Sequence, residues 1–141
     1  MKKIKNTKGF TLMEMLIVVA IIAILIAIAI PTFNSSLNKA KVATDEANIR
    51  SGYASVMTQL LTSDTAVANN TTYKLKVDGS VTVSAADAAA GSAADYKTKG
   101  KPTAAVDIAG QSVAAWEPNK TVTYKVTTGD DGYKVVIGFA E

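Results

Sequence analysis

The sequence predicts an α+β fold: one long N-terminal helix packed against a C-terminal antiparallel sheet. Two observations lead there. From Met15 to Ile30 no polar side chain appears, and helical spacing of apolar residues continues beyond that run as far as Leu60. From Tyr73 onward the apolar period changes from that of a helix to two, with Asp78-Gly79 and Gly129-Asp130-Asp131-Gly132 placed as turns between alternating runs.

The apolar run is long enough to cross a membrane. At about 1.5 Å per residue, Phe10 to Ile30 makes a helix of roughly 30 Å, the thickness of a hydrocarbon layer. Lys2, Lys3, Lys5 and Lys8 precede it, so the N-terminus is expected on the cytoplasmic side and the C-terminus outside. One carboxylate, Glu14, sits near the start of the run. An ionisable group there costs about 2.5–3.5 kcal/mol on insertion scales, which points to a partner or a role. Ala27-Ile28-Ala29 offers a signal-peptidase pattern, and a plain signal anchor would explain the length and charges. Neither explains Gly9-Phe10 or Glu14.

Pro31 removes a backbone donor and clashes with the preceding turn, so a kink or local unwinding near Ala27 is expected. Beyond it, Phe33, Leu37, Ala40, Ala47, Ile49, Tyr53, Val56 and Leu60 form one apolar stripe. Asn34, Asn38, Lys39, Lys41, Asp45, Glu46 and Arg50 fall mostly on a wet face. The helix is expected to stop at Thr62-Ser63-Asp64.

Residues 63–72 read as a surface loop and 73–141 as the sheet region. Tyr73, Leu75 and Val77 alternate with Lys74 and Lys76 before Val81 and Val83. Val122, Tyr124 and Val126 alternate with Thr123 and Lys125, and Tyr133, Val135, Ile137 and Phe139 return. Ala104–Ile108 and Ser112–Trp116 are further strand candidates. For 84–101, a short helix and an ordered loop both fit. Trp116 is expected in the core or at its edge. One face of such a sheet must be covered, and the stripe Ile49–Leu61 matches it.

Composition excludes several classes. The 15 Lys and Arg exceed the 12 Asp and Glu, but four of the bases lie in residues 1–9. Without them, 11 bases face 12 acids, so no nucleic-acid surface is implied. There is no Cys and no His. That removes disulfides, thiolate metal sites and the commonest general base, and no nucleophile–base pair or Gly-rich phosphate loop stands out. An enzyme is not indicated.

Lys8-Gly9-Phe10-Thr11-Leu12-Met13-Glu14-Met15-Leu16, continued by Ile17 to Ile22 and by Ile28-Ala29-Ile30-Pro31, resembles the prepilin motif of type IVa pilins and related pseudopilins. The resemblance covers residues 1 to about 50. It implies a cleaved leader 1–9, a long helix 10–62 whose 10–31 portion is transmembrane and later filament core, and a globular head 63–141. It implies cleavage between Gly9 and Phe10 by a prepilin peptidase, N-methylation of Phe10, and assembly through Glu14 and the Phe10 amine into a helical homo-oligomer. It implies a single-pass membrane precursor, an extracellular pilus, and adhesion, twitching motility or biofilm as its use. A secretion pseudopilin or a competence pilin forming a short filament is the alternative. Where many relatives carry glycine, this chain has Ala23, which favours helix by about 1 kcal/mol. No cofactor is expected. Major pseudopilins can hold calcium in a comparable C-terminal loop, which gives Asp130 and Asp131 a second reading beside a turn.

Overall fold

The computed structural model describes residues 8–84 and 92–141. The leader lysines Lys2, Lys3 and Lys5, and residues 85–91 of the alanine-rich segment, lie outside the described residues. The fold is the expected α+β arrangement. One helix, α1 (Leu12–Thr62), is followed by β1 (Thr71–Leu75), β2 (Val81–Val83), β3 (Val106–Ile108), β4 (Gln111–Val113), β5 (Thr121–Gly129) and β6 (Gly132–Ala140). Two compact units are distinguishable. One ends at Leu37, and the other is Asn38–Glu141.

In the first unit, α1 runs unbroken through Pro31. Residues 27–31 stay helical, so local unwinding is not present. An interior proline costs a water-exposed helix about 3 kcal/mol, and membrane helices tolerate it better because nearby hydroxyls re-satisfy freed carbonyls. Thr32 Oγ1 donates to the Ile28 carbonyl at 3.1 Å, the neighbour of the Ala27 carbonyl that Pro31 leaves without its helical donor. The apolar side chains of this segment are exposed throughout, from Phe10 at 82% to Ile30 at 56%.

The second unit is a sheet of order β2-β1-β5-β6, all antiparallel. The β5–β6 pair is the longest, running from Thr121↔Ala140 to Gly129↔Gly132. Its two-residue loop is Asp130-Asp131, and Gly132 takes φ +107°, a backbone region costly for other residues. Strict alternation produced this hairpin: Val122, Tyr124, Val126, Val135 and Ile137 are all buried.

The first hairpin departs from expectation. Tyr73 and Leu75 point inward, but Val77 is exposed and Lys76 is buried. The chain turns at Lys76, whose carbonyl accepts from Gly79 N at 3.0 Å, so the period of two ends one residue before Val77. Lys76 Nζ pairs with Asp95 at 2.7 Å. The candidate strands 104–108 and 112–116 are shorter than expected. They form a separate two-stranded sheet, β3–β4, closed by Ala109 and Gly110 at positive φ.

The helix face that covers the sheet is Asp45, Ile49, Gly52, Val56 and Leu60, all buried. The spacing of four, three, four and four keeps them on one side. Ala40 and Ala47 are exposed, so within the second unit the expected stripe is only partly used; Phe33 and Leu37 belong to the first unit. Each fully buried Ile or Val here contributes about 1.5–3 kcal/mol. Gly52 sits under Tyr124, whose hydroxyl donates to the Ile49 carbonyl at 2.8 Å.

Candidate functional site

Among the described residues, two places combine polar chemistry with defined geometry. The first is the start of α1. Lys8 to Thr11 carry no regular secondary structure. Phe10 is exposed, and an added side chain at Gly9 would meet open space. The Gly9–Phe10 peptide is therefore accessible in a non-helical segment, the form in which a protease can engage a backbone. Immediately after it, Thr11 and Glu14 form a reciprocal cap. Glu14 N donates to Thr11 Oγ1 at 3.2 Å, and Thr11 N donates to Glu14 Oε2 at 2.8 Å. Two of the donors that every helix start leaves unpaired are satisfied this way. A carboxylate in the first turn is also favoured by the helix dipole, by about 0.3–1 kcal/mol.

Glu14 thus has a local purpose that the assembly reading of the sequence missed. The signal was present, because Thr11-Leu12-Met13-Glu14 has capping-box spacing ahead of an apolar run. One carboxylate oxygen is occupied. Among the described residues, Oε1 has no hydrogen-bond partner, so the group keeps capacity for a second donor.

The second place is a buried joint between α1 and the segment 96–101. Asp45, placed on the wet face by the sequence reading, is completely buried. The correction has a plain cause: four donors converge on its carboxylate. Tyr96 Oη donates to Oδ1 at 2.7 Å. Lys99 N donates to Oδ2 at 2.9 Å, Gly100 N to Oδ2 at 2.8 Å, and Trp116 Nε1 to Oδ2 at 3.2 Å. Asn38 extends the clasp by pairing with both backbone groups of Lys101, through Nδ2 to O at 2.9 Å and from N to Oδ1 at 3.0 Å. Asn48 Nδ2 closes it with a 3.0 Å bond to Tyr96 Oη. The segment alternates, with Tyr96, Thr98 and Gly100 facing in and Lys97, Lys99 and Lys101 facing out. Gly100 crosses the helix so closely that a Cβ would lie 2.5 Å from Val42 N.

Burial, then the hydrogen bond to Asp45, pushes the Tyr96 hydroxyl up to about 12. Burial also raises Tyr124 and Tyr73. In the unfolded chain a tyrosine titrates near 10. A raised folded value means this stabilisation is complete below about pH 10 and is lost as pH climbs through the folded value. We expect cooperative alkaline unfolding between about pH 10 and pH 12, with tyrosinate absorbance rising in step with loss of sheet circular dichroism. Full tyrosinate formation near pH 10 with the sheet signal intact would contradict this.

Asp130 and Asp131 form the hairpin tip described above, and Pro31 lies within the continuous helix. Among the described residues, no three His, Cys, Asp or Glu side chains gather as a metal site.

A Gly-Phe bond ahead of a capped glutamate and an apolar helix, followed by an antiparallel sheet, make this chain similar to type IV pilins at its N-terminus. Residues 4–30 match the model of the prokaryotic N-terminal methylation motif. Over 52 residues the chain is 48% identical to the type IV narrow pilus major component PilA5 of Thermus thermophilus, a match covering 35% of this chain and 45% of that protein. The chain therefore aligns with less than half the length of that curated relative. No solved structure matches it.

Proposed function

We propose that this chain is a structural subunit, not an enzyme, that polymerises through α1 into a type IV pilus filament on a bacterial surface. The observation that carries the reading is the capped Glu14 beside an accessible Gly9–Phe10 bond, at the head of a helix apolar on every side. That helix exposes more large apolar side chains than water tolerates. It is long and apolar enough to cross a membrane. Lipid before assembly and copies of itself afterwards both satisfy such a surface.

In this reading a prepilin peptidase cuts before Phe10 on the cytoplasmic side. The leader lysines leave, the anchor remains, and a new α-amino group appears, which is then methylated. An unmodified α-amino group titrates near 7.7–8.0 and is mostly cationic at neutral pH. Glu14 keeps one oxygen on the Thr11 amide and offers the other to the Phe10 amine of an incoming copy. Breaking such a buried pair costs about 3–5 kcal/mol, enough to set register. Pro31 is where the helix bends as it leaves the filament core. The pilus assembly machinery and further copies of the chain are its partners, and adhesion, twitching motility or biofilm formation its uses.

The test is Glu14→Ala, with wild-type and variant filaments counted by electron microscopy and the mature N-terminus read by mass spectrometry. We expect processing at Phe10 in both and at least about a tenfold loss of filaments in the variant, since the lost pair exceeds 1.4 kcal/mol. Abundant normal filaments from the variant would overturn the role of Glu14. Short filaments confined to the envelope would favour the pseudopilin or competence-pilin alternative. So would a large calcium-dependent gain in head stability. Two adjacent aspartates supply few of the six to eight oxygens calcium takes, so no cofactor is part of the proposal.

A further inference from the structure

We infer that the heads of neighbouring copies meet end to end, the lysine-rich end of one against the aspartate end of the next. The contact rests on the filament reading above. Both ends belong to the second unit, Asn38–Glu141, and β5 fixes their separation. Lys120 immediately precedes β5, and Lys97 bridges to its first residue, Thr121. Asp130 and Asp131 immediately follow its last. Nine residues at about 3.3 Å each put roughly 30 Å between the two groups.

The segment that carries Lys97 also carries Lys99 and Lys101, and it lies along α1 where Lys39 and Lys41 are. Asn38 grips the Lys101 backbone, and Gly100 packs on Val42. Lys39, Lys41, Lys99 and Lys101 are exposed. Glu117 neutralises Lys101 at 2.7 Å, and Glu141 pairs with Lys120. Glu46, half-buried, is the remaining glutamate on this stretch of α1. Among the described residues, no ion pair engages Lys39, Lys41 or Lys99.

The opposite end has the reverse sign. Val67 N donates to the Tyr133 hydroxyl at 3.4 Å, and Thr128 N donates to Asn69 Oδ1 at 3.1 Å. The loop after α1 therefore lies against the β5–β6 tip, and Asp64 in that loop brings a third carboxylate to this end. Asp64, Asp130 and Asp131 are exposed, and among the described residues no ion pair engages them. Residues 61–70 and 127–133 contain no Lys or Arg. Lys125 and Lys134 lie back along the strands.

The occupant is a second copy of this chain, because the chain itself carries both halves of a complementary pair, held too far apart to meet within one molecule. Two lysine ends repel, and so do two aspartate ends, which disfavours a closed symmetric dimer. The remaining contact joins two different surfaces and propagates into an open array, as a filament subunit requires. A single exposed ion pair contributes little stability. Several at one contact select the direction of approach and the register.

Zero-length carbodiimide coupling of sheared wild-type filaments tests the contact, with the cross-linked peptides read by mass spectrometry. The expected links join Asp64, Asp130 or Asp131 to Lys39, Lys41 or Lys99. At roughly 30 Å such a link cannot form within one subunit, so each reports a neighbour. Filaments that yield none of these links overturn the inference and leave the filament reading intact. Charge reversal gives a second readout. Lys41→Glu with Lys99→Glu, and Asp130→Lys with Asp131→Lys, should each lower filament yield at least about tenfold. All four changes together should restore most of it, a recovery that a merely structural defect would not show. Unaffected yields from both reversals, or no recovery in the combined chain, overturn the inference. If lysine reversal instead releases the solubilised protein from anionic vesicles while filament yield is kept, the lysine end serves the membrane and the inference falls. An absence of filaments from wild-type cells overturns the filament reading itself and this contact with it.

Discussion

Asp45→Ala should remove a large part of the stability of the head. The substitution leaves two backbone amides, the Trp116 indole N–H and the Tyr96 hydroxyl without their acceptor. An unmade hydrogen bond at a buried donor costs about 1–3 kcal/mol. Relief of the carboxylate's own desolvation offsets part of this, so the four costs do not simply add. We expect a net loss of about 4 kcal/mol or more, against a total of about 5–15 kcal/mol for a domain. The sole tryptophan stands at the site, so Trp116 fluorescence during urea unfolding reports on it directly. Asp45→Asn keeps one acceptor oxygen but turns an NH₂ toward the other donors, and should lose roughly half as much. A shift below about 1 kcal/mol for the alanine variant would mean the joint is not structural.

Gly52→Ala should destabilise although alanine is the better helix former. Propensity favours the change by about 1 kcal/mol. Against it, the new Cβ would lie 2.1 Å from Tyr124 Oη and 2.8 Å from Leu75 Cδ1. Overpacking costs about 1–3 kcal/mol. Displacing Tyr124 also breaks its buried bond to the Ile49 carbonyl, a further cost of about 1–3 kcal/mol. The net expectation is a loss of about 2–4 kcal/mol in urea unfolding. Combining it with Tyr124→Phe removes the clashing oxygen, and the pair should cost less than the sum of the two single changes. A more stable Gly52→Ala protein would show that the ring moves aside freely.

The parts of this molecule that were legible in the sequence are those written in local period. Sixteen uninterrupted apolar residues from Met15 to Ile30 and the alternation of Val122, Tyr124 and Val126 each specify their element without reference to distant residues. The Gly9-Phe10 and Glu14 pattern was legible for the same reason. Asp45 was not, because an aspartate on a buried face reads the same as one on a wet face. Its partners come from residues 51 to 71 positions away, and two of them are backbone amides carried by any residue. One signal was available: Asp45 is in phase with Ile49, Gly52, Val56 and Leu60. The segment 96–101 was hidden for a related reason. It is held by a carboxylate and an amide on α1, not by an apolar pattern of its own. Val77 misled because alternation says nothing about where a strand gives way to a turn.

The carboxylate at the joint is answered by dipoles alone. A phenol, an indole and two peptide groups surround it, and among the described residues no Lys or Arg side chain shares the grip. Dissolved ions weaken attraction between full opposite charges, within about 10 Å at 0.1 M, but they have little purchase on short contacts sealed from solvent. The tie between α1 and the segment 96–101 should therefore hold in brine as it does in fresh water.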